Sequence, residues 1–502
     1  MKSFICMLIT AISVSLVGCN QSRTENVAED VIEKTPSNEF AILSAKGLDP
    51  LAGEASPEGR LLIGRGEDYV PINEDPQELF KKLKTSVKYR RDTAWSVVED
   101  MLKPIPLEID GKKVDVPIWH TWYEGAFKKE DSEVFTKLKL FYAELNGCDA
   151  DPGCDDSKEE IAKRVMGDSV TKNFARQLTA KNFTQKLRQT VAAGSNENTE
   201  ETLGQGFTIF SPSFVEHVLT QSDDIASCAI DIPAGQAPPS DDQFSPCIKE
   251  FPRSAVMVKT AWEEITNDGV NNHATDGNTV KSVMTANGEG TWLKDNFDKT
   301  VPATNKIYTV ETNDSKRYGL TAIHFSTKDT REWLWISLWW HPNADNDFGQ
   351  DRPTSITQAG NGVWGNYKMC VTSSFVEGDQ EPWKAYAQEN PSLAKVLKAS
   401  YEESAEQSTV PGEVTSWCSN PILEHHKGNA RTNCIGCHQY SFTTNPHTNK
   451  EARFLDTYNK LYEDVYPDYG RQKNRINFPA EFAWSFGMEF RPQIECAKNN
   501  NC

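Results

Sequence analysis

The sequence predicts an α+β fold. A helical N-terminal part leads into a central, mostly antiparallel, aromatic-rich sheet, and a small helical segment follows. Three observations predict this. Apolar residues recur at three- and four-residue spacing from Pro76 to Leu145, which is the period of one helix face. After about Gly204, short β-branched and aromatic runs alternate with Asn, Asp and Gly clusters, as strands alternate with turns. From Glu381 to Glu406 helical spacing returns. The resulting regions are 1–18, a signal; 19–45, a tether; 46–203, helical; 204–380, β-rich; and 381–502, helical.

Lys2 and the apolar run Phe4 to Val17 read as an export signal, too short and wrongly flanked for a membrane span. The run ends in Leu16-Val17-Gly18-Cys19, which resembles the lipobox of bacterial lipoproteins. That resemblance implies cleavage before Cys19 and acyl chains that tie its sulfur to a membrane. Asn20 in place of Asp favours the outer membrane and periplasm. The polar stretch up to about residue 45 is a disordered tether.

In the helical region, Glu78 to Lys84, Thr93 to Met101 and Ser132 to Leu145 carry apolar stripes, and Glu159 to Ala192 continues them. Val116-Pro-Ile-Trp-His-Thr-Trp-Tyr123 interrupts as an aromatic, Pro-marked segment. The strands expected next are Ala255–Trp262, Lys306–Val310, Tyr318–Phe325 and Trp333–Trp340. On the last, Trp333, Trp335 and Trp339 keep period two on one face. Nothing repeats at 20–50 residues, which excludes a solenoid or propeller. In the last region, Glu451 to Val465 reads as a helix, and Pro479 as the first residue of a short one bearing Phe482, Trp484, Phe486 and Met488.

The last region also carries the chemistry. Cys434-Ile-Gly-Cys437-His438 is the attachment pattern of a c-type haem. Two thiols with two residues between them match the two vinyl groups, and the next residue, His438, is held under the iron as proximal ligand. A redox Cys-x-x-Cys would need a βαβ setting, and a zinc site two further ligands at motif spacing; neither is evident. One motif means one covalent haem c in a small helical, cytochrome c-like segment.

The other side of the iron decides function. Met488 is the candidate distal ligand; it is otherwise a gap-filling core residue. His425, His426 and His447, which flank the motif, compete with it for that place and are otherwise loop histidines. His324 and His341 lie in or at the end of sheet strands. They are satisfied core or edge histidines or, if both faced the haem, a distal acid/base pair and the candidate catalytic residues.

Of the 12 cysteines, Cys6 leaves with the signal, Cys19 takes lipid, and Cys434 and Cys437 take haem. The rest are Cys148, Cys154, Cys228, Cys247, Cys370, Cys418, Cys496 and Cys502. An even remainder in an exported chain reads as disulfides. Nearest-neighbour pairing joins 148 to 154, 228 to 247, 370 to 418 and 496 to 502, one choice among on the order of a hundred.

The formal net charge of −19 argues against nucleic acid as a partner. It favours solubility and, where a redox partner protein is met, a basic one. Lys259 and Trp262 are strand residues on no assigned face; a Lys there is normally solvated, though one beside a haem propionate is conceivable. Asn343 to Asp351 spaces oxygen ligands like a calcium loop, but its Gly is one place late and no Glu closes it. An Asx-rich turn is the better reading.

The stretches Trp119-His-Thr-Trp-Tyr123, Phe210-Ser-Pro with His217, Phe251-Pro, Val258-Lys-Thr-Ala-Trp262, Gly319-Leu-Thr-Ala-Ile-His324, Trp333-Leu-Trp335 and Asn433-Cys-Ile-Gly-Cys-His438 carry a resemblance. On these the chain resembles a group of bacterial monohaem c-type cytochrome-like lipoproteins, over about residues 110–490. The resemblance implies an exported haem protein and assigns no substrate. The leading expectation is therefore a lipid-anchored electron carrier. The alternatives are a haem enzyme, peroxidase-like or a small-molecule oxidoreductase, with an open distal site, and a haem-based ligand sensor.

Overall fold

The structure, a computed structural model, describes residues 42–44, 68–109, 112–125, 132–167, 205–227, 249–285, 290, 292, 297–303, 305–311, 317–408, 414–424, 429–438, 441, 481–483, 485 and 490–499. All of them belong to one unit, Asn38–Cys502. The strands in chain order are β1 (Ile42–Ser44), β2 (Pro104–Ile109), β3 (Lys112–Pro117), β4 (Tyr123–Gly125), β5 (Gln205–Phe210), β6 (Val256–Glu264), β7 (Val270–Asn272), β8 (Asp298–Thr300), β9 (Thr309–Glu311), β10 (Arg317–Thr327), β11 (Leu334–Trp340), β12 (Tyr367–Thr372), β13 (Val376–Glu377) and β14 (Val414–Thr415).

The architecture is mixed helix and sheet. Strands β4, β5, β6, β10, β11 and β12 lie side by side, each antiparallel to the next. β10 serves two neighbours on one edge. Arg317–Gly319 pairs with β9, which carries β1 in parallel beside it, and Ala322–Thr327 pairs with β11.

Alternation sends successive side chains to opposite faces, and both faces of this sheet are covered. On one, Val256, Val258, Trp262, Leu334, Ile336, Leu338 and Trp340 pack with Trp95, Val98 and Met101 of a helix. On the other, Met257, Ala261, Trp335 and Trp339 pack with Phe135, Leu138 and Phe141 of a second helix, and with Cys434 and Ile435. Every residue of β11 is buried, hence its nearly unbroken apolar run. Trp333, Trp335 and Trp339 share one core, as their spacing predicts, although Trp333 itself precedes the strand at φ 65°.

A bulge decides one of these placements. Against β6, the register of β10 slips between Leu320 and Ala322, so Thr321 is the extra residue and the alternation reverses. Leu320 and Ile323 therefore belong to the first face, and Ala322 to the second. His324, two residues on from Ala322, follows it onto the second face.

The helices begin where capping chemistry places them. Asp75 accepts from the backbone of Gln77 and Glu78 to open α1 (Pro76–Thr85), with Pro76 in its first turn. Ser86 caps α2 (Val87–Met101), Ser132 caps α3 (Glu133–Ala150), and α4 (Lys158–Gly167) follows. Three sequence expectations are corrected. Residues 104–117 are not helical but form the β2–β3 hairpin; Asp110-Gly111 between the strands is the turn signal for it. Glu381–Glu406 is not one helix, because Pro391 cannot sit inside one. A short 3-10 turn at Lys384–Tyr386 precedes the helix Pro391–Gln407. Finally, Glu481 and Phe482 take φ 50° and 66°, so these two residues form a turn within the stretch expected as a helix from Pro479, while Ser485 is helical and Pro479 lies outside the described residues. The described C-terminal helix is Arg491–Asn499.

Cys148–Cys154 and Cys370–Cys418 are bonded, with Cα–Cα distances of 5.1 and 5.3 Å. Cys496 is also disulfide-bonded. Cys228, Cys247 and Cys502 lie outside the described residues. Cys370–Cys418 spans 48 residues and pins the stretch before the Cys434 helix to β12. Replacing both by Ala is expected to cost about 2–4 kcal/mol, read as a lower denaturant midpoint; an unchanged midpoint would refute that contribution.

Candidate functional site

Cys434–His438 forms a five-residue helix. Asn433 caps it: its Oδ1 accepts from Gly436 N at 3.0 Å, and its Nδ2 donates to the carbonyls of Phe375 and Ser416 at 3.1 and 2.6 Å. Trp417 Nε1 donates to Ala430 O at 2.9 Å, and Cys418 N to Thr432 O at 3.2 Å. The motif is thus tied to the disulfide-anchored strand on several sides. At Gly436 a Cβ would come 2.3 Å from Thr432 Oγ1 and 3.3 Å from the Phe375 ring, so the loop has no room for a larger residue.

His438 is oriented by one hydrogen bond. Its Nδ1 lies 2.8 Å from the carbonyl oxygen of Phe482. A carbonyl only accepts, so Nδ1 carries the proton and donates. Burial lowers the pKa to about 4, against the Phe482 bond and with help from the nearby Lys259 charge. The ring is therefore neutral at pH 7, with its lone pair on Nε2. Trp335 packs against it, ring centroids 4.3 Å apart. The carbonyl it uses belongs to one of two consecutive left-handed residues, Glu481 and Phe482, a costly backbone for side chains of this kind.

The second face of the sheet supplies a polar wall. Thr208, Lys259, His324 and Ser337 stand opposite one another across β5, β6, β10 and β11. Lys259 is exposed although its strand is central and its neighbours Val258 and Thr260 are buried. His324 and Glu424 are 15% and 16% exposed, with 3.6 Å from Nε2 to Oε1. His324 Nε2 makes no hydrogen bond, and burial, followed by the Lys259 and His438 charges, drives the pKa of this ring well down. Lys259 therefore reaches solvent on this face, and His324 lies close enough to His438 for a proton on one ring to disfavour a proton on the other.

Glu424 is held by the turn before it. Asn420 Nδ2 donates to Ser337 Oγ at 2.9 Å and Leu338 O at 3.1 Å, and Asn420 N donates to Glu424 Oε2 at 2.9 Å. Burial raises the Glu424 pKa from 4.5 to about 7. The folded protein then keeps a proton that the unfolded chain loses above about pH 4.5, so stability falls as pH rises from there to about 7. The loss is up to about 3 kcal/mol. Glu424→Gln should flatten that fall in denaturant midpoints taken between pH 5 and 8; an unchanged slope assigns it to other groups.

The structure brings Cys434, His438 and His324 together on one side of the sheet. It places His341 elsewhere, six residues along from Trp335, about 20 Å at the usual strand rise. There Asn343 N donates to His341 Nδ1 at 3.0 Å. Burial, then the charges of Lys368 and His273, lower its pKa to about 3. The carboxylates of the calcium-like stretch are taken by cations: Asp345 by Arg352, Asp347 by Lys368 at 3.1 Å and Asp351 by Arg91 at 2.6 Å. Trp262 belongs to the opposite core from His438. Met488, His425, His426, His447, Cys19 and the Cys437 side chain lie outside the described residues.

Sequence reasoning missed the Phe482 carbonyl, Glu424 and Asn433. Only Asn433 carried a signal, an N-capping residue directly before a short helix. What is present fits the proximal side of a c-type haem: a buried Cys434, a neutral imidazole with its proton fixed away from Nε2, and aromatic packing. The chain matches no family model, no curated protein and no solved structure.

Proposed function

We propose that this chain is an exported, lipid-anchored monohaem c-type cytochrome that acts in electron transfer, its C-terminal segment a small cytochrome c-like haem segment. Cys434 and Cys437 would hold one haem c through thioether bonds, and His438 would ligate its iron through Nε2. When bound, haem c supplies a one-electron couple. The chain's own residues orient and shield it: Phe482 fixes the imidazole proton, and Trp335 and Ile435 exclude water. Met488 is the candidate distal ligand. The lipid on Cys19 tethers the body at the outer membrane, facing a basic redox partner protein. The family is that of bacterial c-type cytochrome-like lipoproteins.

The observation that carries this reading is the hydrogen bond from His438 Nδ1 to the Phe482 carbonyl. Histidine ligands to metals almost always donate their other ring N–H in this way, whereas a thiol-disulfide motif has no use for it. The bonded pairs Cys148–Cys154 and Cys370–Cys418 agree with an oxidising compartment. The test is the intact mass after expression with c-type maturation machinery. One covalent haem is expected, absent from a Cys434→Ser, Cys437→Ser double variant. A mature protein without that increment overturns the reading.

A haem enzyme with an open distal site is the second reading. Glu424 favours it, because its carboxyl stands 3.6 Å from His324 Nε2 with a pKa that burial raises to about 7, where a carboxyl can act as general acid or base near neutral pH. Cyanide or CO added to the loaded protein separates the two. A closed carrier resists both ligands and loses that resistance in Met488→Ala; a protein that binds them at once is the enzyme.

A further inference from the structure

The strained turn that presents the Phe482 carbonyl to His438 is held by a buried cation. Lys328 follows β10 directly. Its Nζ lies 3.0 Å from Glu481 Oε2 and 2.9 Å from Glu250 Oε1, and it donates to Arg331 O at 2.8 Å. Lys328 and Glu481 are 2% and 5% exposed, whereas Glu250 is 54% exposed. The same ammonium stands 5.6 Å from the Trp333 ring centroid. Three of the five non-glycine residues with positive φ among those described, Trp333, Glu481 and Phe482, are therefore gathered at one buried lysine or beside its partner.

Strain of this kind persists only where the surroundings over-determine it. The burial does so here. A carboxylate taken out of water is costly unless paired, and Glu481 meets its cation only in this turn. Pairing Glu481 with Lys328 fixes the backbone at Glu481 and Phe482, and the Phe482 carbonyl, one peptide further on, is thereby held toward His438. The strand pair supplies both ends of the device: the β10–β11 connection begins at Lys328, and Trp335, two residues past Trp333, packs on the His438 ring.

We propose that Lys328 is a positioning residue for the haem ligand: through Glu481 it holds the Phe482 carbonyl on His438 Nδ1 and so sets the tautomer, orientation and donor strength of the imidazole. This rests on the haem reading above. An imidazole whose N–H is hydrogen-bonded is the stronger ligand and favours the ferric state. Loosening the turn weakens that donor and raises the reduction potential.

The experiment measures the potential and axial-ligand spectrum of the full, haem-loaded chain in three variants. Lys328→Met is expected to keep its covalent haem and shift the ferric/ferrous equilibrium toward ferrous on the order of tenfold, a rise of about 59 mV for one electron. Lys328→Arg restores the wild-type value. In Lys328→Met the sign separates this role from bulk charge, since removing a nearby positive charge alone would lower the potential. Glu481→Gln leaves Lys328 paired with Glu250 and is read by the axial-ligand spectrum, because its lost negative charge raises the potential by itself; a changed spectrum is expected, and it decides the matter if Lys328→Met does not fold. A fall or no change of potential in Lys328→Met, or in its absence an unchanged spectrum in Glu481→Gln, overturns the role of Lys328 alone. A wild type without covalent haem overturns the haem reading and this role together.

Discussion

Replacing His438 by glycine is expected to change the absorption spectrum of the loaded protein, and imidazole in the solvent is expected to restore it. The substitution removes a ring held between two fixed partners, the Phe482 carbonyl at 2.8 Å and the Trp335 ring at 4.3 Å between centroids. It leaves a slot of imidazole size with an acceptor at its end. That acceptor, stranded without a donor, costs about 1–3 kcal/mol, which a bound imidazole regains. The loss of ligation should exceed the 10–100-fold effect typical of an outer partner. An unchanged spectrum removes His438 from the site. A changed spectrum that imidazole cannot restore refutes the slot.

Asp351→Ala should be among the most destabilising single substitutions in the chain, at about 3–5 kcal/mol. Arg91 is 1% exposed. Its Nε and Nη2 hold the two Asp351 oxygens at 2.6 and 2.7 Å, while Nη1 and Nη2 reach the carbonyls of Met369 and Phe348 at 2.6 and 2.8 Å. Trp95 Nε1 adds a bond of 3.2 Å to Asp351. A guanidinium does not deprotonate in a protein, so alanine leaves a full charge buried among carbonyls, and α2 loses its tie to the stretch at Asp351. Converting both members to apolar residues, Arg91→Met with Asp351→Leu, should cost far less, because no charge remains stranded. Denaturant midpoints test the pair; a single variant within about 1 kcal/mol of wild type would refute the argument, that being ordinary for one substitution.

The local patterns of this chain were legible because they are short. β-Branched and aromatic runs bounded by turn residues placed β6, β10 and β11 within two residues of their observed ends, since covering both faces of a strand demands such residues wherever it runs; the run Lys306–Val310 placed β9 three residues early. Cys148–Cys154 and Cys370–Cys418 followed from proximity in sequence. Where the reading failed, a local rule had been passed over or a distant contact had overruled one. Asp110-Gly111 was a turn signal inside an apparently helical stretch. The turn at Glu481 was not readable, because no propensity predicts consecutive left-handed residues held by a lysine more than a hundred and fifty positions away.

By itself the sequence determined the long strands β6, β10 and β11, the capping of the first helices and the Cys-x-x-Cys-His spacing. Each of these is settled within a few residues by pleat, hydrogen-bond reach or bond length. Only the tertiary structure decided what His438 faces. The Thr321 bulge turns His324 toward the second face, Asn420 carries Glu424 against it, and the Lys328–Glu481 pair brings the Phe482 carbonyl to Nδ1. Those outcomes depend on which buried charge meets which partner, and burial is a property of the packed chain.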